Sequence, residues 1–200
     1  DRLQKDLEAE SSGGLLSQLF RARKANPQGV YMWGGVGRGK SMLMDLFVET
    51  LGIDEKRRVH FHEFMLEVDR RIRERRESDR GDPTGKVARD IAEDVRCLAF
   101  DEMVVNNTAD AAIMARLFTA LIRDQGVTIV TTSNRPPRDL YKDGLNRSLF
   151  LPFIDLIEAD LDVVSLNGPT DYRMDRLGDI ATWHSPLGDD ATAQVREAFF

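Results

Sequence analysis

Two periods of apolar residues run along this chain. Short apolar runs alternate with longer stretches in which apolar residues recur every three or four positions. That succession of strands and helices predicts an α/β fold with a parallel sheet. Val30-Tyr31-Met32-Trp33 reads as a first strand, and residues 40–51 as the helix after it. Residues 58–64 alternate in part and read as a second strand, followed by a long charged helix over about 63–77. Residues 79–85 are a loop by their Gly, Asp and Pro content. A helix over 86–94 leads into the strand Cys97-Leu98-Ala99-Phe100. Residues 110–124 are strongly helical and closed by Gly126, and Val127 to Thr132 is a β-branched strand. Pro136-Pro137 opens a short helix. A helix over 150–159 and a fifth strand over 161–166 complete the pattern.

An amphipathic helix over 15–24, ended by Pro27 and Gly29, precedes the first strand. The expected organisation is therefore an N-terminal helical segment (1–28), a core (29–167) and a C-terminal extension (168–200). The extension ends inside what reads as a started helix, Ala191 to Phe200, so the natural chain is expected to continue.

Composition narrows the class. The chain has 200 residues, 42% apolar and 31% charged, which suits one globular α/β domain. No apolar run approaches the roughly 18 residues of a membrane span. A net charge of −6 argues against a broad basic surface for nucleic acid. The single Cys97 rules out an internal disulfide and fits a reducing compartment; its apolar strand marks it as a buried structural thiol.

The strongest chemical signal is Gly34-Gly35-Val36-Gly37-Arg38-Gly39-Lys40-Ser41, which matches G-x-x-x-x-G-K-[ST] between an apolar strand and a helix. Glycines let the backbone curl and present N–H groups to phosphate oxygens, and the helix N-terminus adds a favourable dipole. Lys40 would reach the β- and γ-phosphates of ATP, Ser41 would ligate Mg²⁺, and Met42 follows on the same turn. A second signal is the buried strand that ends in Asp101-Glu102, where ligands bind in open α/β sheets. Asp101 would serve Mg²⁺ and Glu102 would polarise the attacking water. The acid pair favours hydrolysis over transfer to a small acceptor, and no Asn-Lys-x-Asp guanine reader is present.

Asn134, at the end of a third buried strand, can touch the γ-phosphate and the attacking water, the position called sensor 1. It can also simply cap the turn before Pro136. Arg147 can reach a neighbouring subunit's γ-phosphate, or pair with Asp143 on its own surface. His60 and His62 alternate on the second strand beside Glu63 and read as structural, with His62 able to orient Glu102. Arg70 to Arg80 is basic with acids interleaved three or four apart. It reads as a salt-bridged face, or else as a partner or nucleic-acid contact. Asn106-Asn107-Thr108 matches a glycosylation sequon, which carries little without secretion.

Several longer strings go further than these motifs. YMWGGVGRGKS (31–41), RVHFHEFM (58–65), FDEMVV (100–105), SNRPPRDL (133–140) and YKDGLNRSLFLPFI (141–154) resemble the ZapE-type, AFG1-like AAA+ ATPases, as does the stretch Asp162 to Tyr172. The resemblance covers about Gly29 to Tyr172. It implies an AAA+ core with a five-stranded parallel sheet, expected in the order 5-1-4-3-2. It also implies ATP and Mg²⁺ as ligands, ATP hydrolysis and a homo-oligomer in which Arg147 serves the next subunit. In bacteria it implies a cytoplasmic protein that remodels or regulates the division-ring protein FtsZ; mitochondrial members, in the matrix, are associated with protein quality control. This chain departs from the family at Met103 and Asn106-Asn107, where Phe and Thr-Asp are usual. The C-terminal lid and its second sensor are expected to be short or missing, with Arg173 a poor substitute. That would weaken adenine enclosure and oligomer formation. The rivals are a helicase-loader-like ATPase acting on single-stranded DNA through residues 70–80, and a nucleotide-gated scaffold that binds ATP without turnover.

Overall fold

The computed structural model describes residues 2–11, 27–78, 81–105 and 108–167. The predicted helix over 15–24, the sequon asparagines 106–107, and everything expected of residues 168–200, including Arg173 and the lid, lie outside the described residues.

Five strands form one parallel sheet: β1 (Gly29–Trp33), β2 (Lys56–His60), β3 (Cys97–Asp101), β4 (Thr128–Ser133) and β5 (Leu161–Ser165). Their order is β2-β3-β4-β1-β5, the order expected. β3 and β4 are central and almost wholly buried, whereas β2 and β5, at the edges, are mostly exposed or half-buried. Central strands of a parallel sheet are covered on both faces, so Cys97-Leu98-Ala99-Phe100 reads as an unbroken apolar run.

Alternation along the strands divides the core into two layers. Leu98, Phe100 and Ile129 face the larger cluster, formed with helices α3 (Phe61–Ser78), α4 (Pro83–Asp94), α5 (Thr108–Thr119) and α6 (Leu151–Asp160). Phe61, Phe64, Phe100, Phe118, Phe150 and Phe153 run through it as a chain of rings with centroids 4.8 to 6.4 Å apart. Cys97, Ala99 and Val130 face the smaller cluster, which holds Met44 of α2 (Lys40–Thr50) and Leu7 of α1 (Arg2–Ser11). Burial pushes the Cys97 thiol up to about 12, as suits a structural cysteine.

Helix α1 lies within the expected N-terminal helical segment, upstream of the helix read over 15–24, and is tied to the end of α2. Gln4 donates to the Thr50 carbonyl at 2.8 Å, and Glu8 accepts from the Gly52 N–H at 2.8 Å.

Two boundaries differ from expectation. The second strand stops at His60 instead of residue 64, and the string from Phe61 opens α3. Phe61, Phe64, Met65, Val68 and Ile72 are all buried, a stripe at helical spacing that outweighs the local alternation. His62 therefore sits on a helix, not on the strand with His60, and both are exposed. The helix expected from residue 86 begins at Pro83, because Asp82 caps it by accepting from the Thr84 N–H at 3.1 Å. The basic stretch on α3 is a salt-bridged face. Arg70 pairs with Glu74, Arg71 with Glu67, and Arg75 with Asp90 of α4.

Candidate nucleotide and metal site

The glycine-rich loop leaves the C-terminal end of β1 and enters α2. Gly37 (φ 83°) and Gly39 (φ 75°) are left-handed, a backbone region that residues with a Cβ enter at a cost. Gly39 caps α2 in that conformation without a side-chain bond, so the first N–H groups of the helix open toward the loop. The loop is anchored on both sides. The Gly34 N–H donates to the Ser133 carbonyl of β4 at 3.2 Å, and the Gly35 N–H to Asn167 Oδ1, just past β5, at 2.9 Å. Lys40 Nζ lies across the loop and donates to the carbonyls of Gly34 (2.6 Å) and Gly35 (2.7 Å). Ser41 and Met42 are exposed on the first turn of α2.

Two strands away, β3 delivers Asp101 and Glu102. Glu102 has φ 56°, unusual for a residue with a side chain. Two bonds from β4 bracket it: its own N–H donates to Thr132 Oγ1 at 3.0 Å, and the Met103 N–H donates to the Thr132 carbonyl at 2.7 Å. Strained backbone of this kind persists where the surroundings over-determine it, and it clusters at functional sites. The Glu102 carboxylate accepts from Asn134 Nδ2 at 3.3 Å, so the ends of β3 and β4 are joined through the two side chains expected to meet the attacking water.

Asp101 is held differently. Arg58, on edge strand β2, donates to Asp101 Oδ2 through Nε (2.8 Å) and Nη2 (2.5 Å), and through Nη1 to Asp45 of α2. The other carboxylate oxygen, Asp101 Oδ1, is buried with no hydrogen-bond partner. A carboxylate oxygen with unused lone pairs on β3 and a serine hydroxyl on the first turn of α2 are donors of the kind a hydrated Mg²⁺ ion takes, so the residue types fit that ion.

Arg147 stands apart from these groups. It opens a short 3-10 turn (Arg147–Leu149) after Asn146, which is left-handed at φ 56°. Its Nη2 donates to the Arg138 carbonyl at 2.6 Å, and not to Asp143, while its Nε is buried without a partner. Within one chain, then, the loop residues, Asp101, Glu102 and Asn134 lie at the same end of the sheet, and Arg147 makes no hydrogen bond to any of them.

Sequence reasoning passed over Arg58, Asp45, Thr132 and Asn167. Arg58 carried a signal, a charge in a strand otherwise read as part of the core, and Asp45 falls one helical turn after Ser41. Thr132 and Asn167 look in the sequence like an ordinary β-branched strand residue and an Asn-Gly turn.

Comparison with known proteins places this geometry. The family model described as AFG1-like ATPase matches residues 1–200. The chain is 42% identical over 168 residues to cell division protein ZapE of Escherichia coli K12, covering 84% of this chain and 44% of that protein. It is 45% identical over 156 residues to lactation elevated protein 1 homolog B of Danio rerio, covering 74% of this chain and 31% of that one. The chain thus spans less than half the length of these relatives. Among solved structures, AMPPCP-bound DnaA from Aquifex aeolicus superposes with a TM-score of 0.51 at 14% identity, over 92% of this chain and 58% of that one. At that identity the likeness concerns the fold alone.

Proposed function

The chain belongs to the AFG1-like ATPase family, and on that footing we propose that it hydrolyses ATP at the edge of the sheet formed by the ends of β1, β3 and β4. The observation that carries this reading is the strained Glu102, held by Thr132 and Asn134 beside the phosphate-binding loop.

In this mechanism the N–H groups of residues 36–41 and the Lys40 ammonium receive the β- and γ-phosphates, whose oxygens replace the carbonyls of Gly34 and Gly35 around Lys40. Gly34, Gly35, Val36, Gly37, Arg38 and Gly39 shape the loop, and Met42 follows on the first turn of α2. Ser41 and Asp101 would hold Mg²⁺, which when bound would neutralise part of the phosphate charge. Glu102 accepts a proton from the attacking water, and Asn134 orients Glu102 and that water. Thr132 and Asn134 hold Glu102 from neighbouring β4, which limits the reorganisation the reaction needs.

Arg147 belongs, on this reading, to a neighbouring subunit's site. It bonds the Arg138 carbonyl and none of the loop residues, and carries an unsatisfied buried Nε. A homo-oligomer would let it stabilise the charge that develops on the transferred phosphoryl group. The resemblance to ZapE extends the proposal to a cytoplasmic protein that remodels a protein partner, with FtsZ the partner in a bacterium.

The test is ATP turnover against protein concentration, for wild type and for mixtures with Arg147→Ala. Turnover per subunit that rises steeply with concentration and is poisoned by the mutant supports the shared site. Turnover linear in concentration and indifferent to Arg147 removes the oligomeric mechanism and leaves a monomeric hydrolase.

A further inference from the structure

Arg58 lies outside the loop and outside the acid pair, yet its side chain bonds both the helix after the loop and the strand bearing the acids. β2 places it at the sheet edge, where it pairs in register with Ala99, two residues before Asp101. Its side chain is about a third exposed and that of Asp101 is 12% exposed, so the fork closes one flank of Asp101 against solvent. Nε and Nη2 both take Asp101 Oδ2, and Nη1 takes Asp45. A guanidinium whose two donors converge on one carboxylate oxygen pins that oxygen and so restricts rotation of the carboxyl group. What remains is Asp101 Oδ1, buried and unclaimed by any protein donor.

We propose that Arg58 is a positioning residue that sets the divalent-cation affinity of the nucleotide site by holding Asp101 Oδ2 so that Oδ1 is left to the metal. This rests on the reading of Asp101 as the metal-serving acid.

Two physical effects of Arg58 oppose each other, and that makes the inference testable. Its positive charge sits beside Asp45 and Asp101, so on charge alone its removal strengthens cation binding. Its fork orients the carboxylate, so on geometry its removal weakens cation binding. Partners that orient metal ligands typically change metal affinity by about 10- to 100-fold when removed. The extended, rigid fork favours the geometric effect.

The experiment measures fluorescent ADP binding with and without Mg²⁺, and the Mg²⁺ concentration for half-maximal enhancement, in wild type, Arg58→Gln and Arg58→Lys. Thermal melts without ligand confirm that each variant folds. The expected result is a rise of about tenfold or more in that Mg²⁺ concentration for Arg58→Gln, with metal-free ADP affinity unchanged. Arg58→Lys, which keeps the charge and loses the fork, is expected to behave like Arg58→Gln. Tighter Mg²⁺ binding in Arg58→Gln would overturn the inference in favour of the charge effect, and full rescue by lysine would overturn it by showing that the fork is not needed. Equal loss of metal-free and metal-dependent binding would reduce Arg58 to a structural brace. If wild type itself shows no Mg²⁺ enhancement, the reading of Asp101 falls and this inference with it.

Discussion

Replacing Thr132 with Val separates the positioning of Glu102 from nucleotide binding. Thr132 is 2% exposed on β4, and its hydroxyl accepts the Glu102 N–H at 3.0 Å. Valine keeps the branched shape and the backbone bond from Met103, and removes only that acceptor. A neutral hydrogen bond contributes about 1 kcal/mol net, and an unpaired buried donor costs about 1–3 kcal/mol. The bond is only part-buried, so the loss is expected near the lower figure, about 1 kcal/mol. A left-handed backbone costs about 1–2 kcal/mol in a non-glycine residue. The lost bond is therefore of the same size as the strain it restrains, and Glu102 is expected to relax toward ordinary φ. Thermal unfolding should move down by about 2–4 °C. A misplacement of about 1 Å at a reacting group can cost about 100-fold, so kcat should fall by about tenfold or more. ATP affinity, governed by the loop, should stay within about twofold. Single-turnover hydrolysis and equilibrium nucleotide titration measure the two quantities, with Thr132→Ser as the variant that keeps the hydroxyl. Equal turnover in the Val and Ser variants, or a loss of affinity as large as the loss of rate, would refute the reasoning.

Two further predictions concern the frame of the site. A Cβ on Gly144 would stand 2.2 Å from the Tyr141 ring, which is buried and left-handed at φ 52° and has no room to swing away, so Gly144→Ala should destabilise by about 1–3 kcal/mol in chemical denaturation. The Cys97 thiol, pushed up to about 12 by burial, stays protonated in the fold while the unfolded thiol ionises near about 8.5. Its contribution to stability is full below that pH and is lost as pH rises toward 12; iodoacetamide at pH 8 should label it only in denaturant, as mass spectrometry would show.

Much of the fold was legible because the signals were local. The loop glycines, the apolar run before Asp101 and the β-branched run before Asn134 each declare their structure within a few residues. The boundary at His60 was not legible, because HFHEFM satisfies strand alternation and helical spacing alike. Only the burial of Phe61, Phe64 and Met65 together under the sheet decides for the helix. The residues that hold the site in shape were missed for a different reason. Arg58 meets Asp101 across 43 positions of sequence, and Asn167 meets Gly35 across 132. Those contacts exist only once parallel pairing has brought β2 beside β3 and β5 beside β1. The N-terminal helix α1 likewise becomes intelligible through Leu7, whose burial depends on Met44, Leu51 and Ile53 from later in the chain.

The most direct test of the central claim is ATP hydrolysis by Glu102→Gln, with nucleotide affinity measured on the same protein. Glutamine keeps the shape and can still meet Asn134, but it cannot accept a proton from water. Nucleotide should bind about as in wild type, while turnover falls by about 100-fold or more. Turnover at the wild-type rate would contradict the assignment of Glu102 as the base, and with it the reading of this sheet edge as the hydrolytic site.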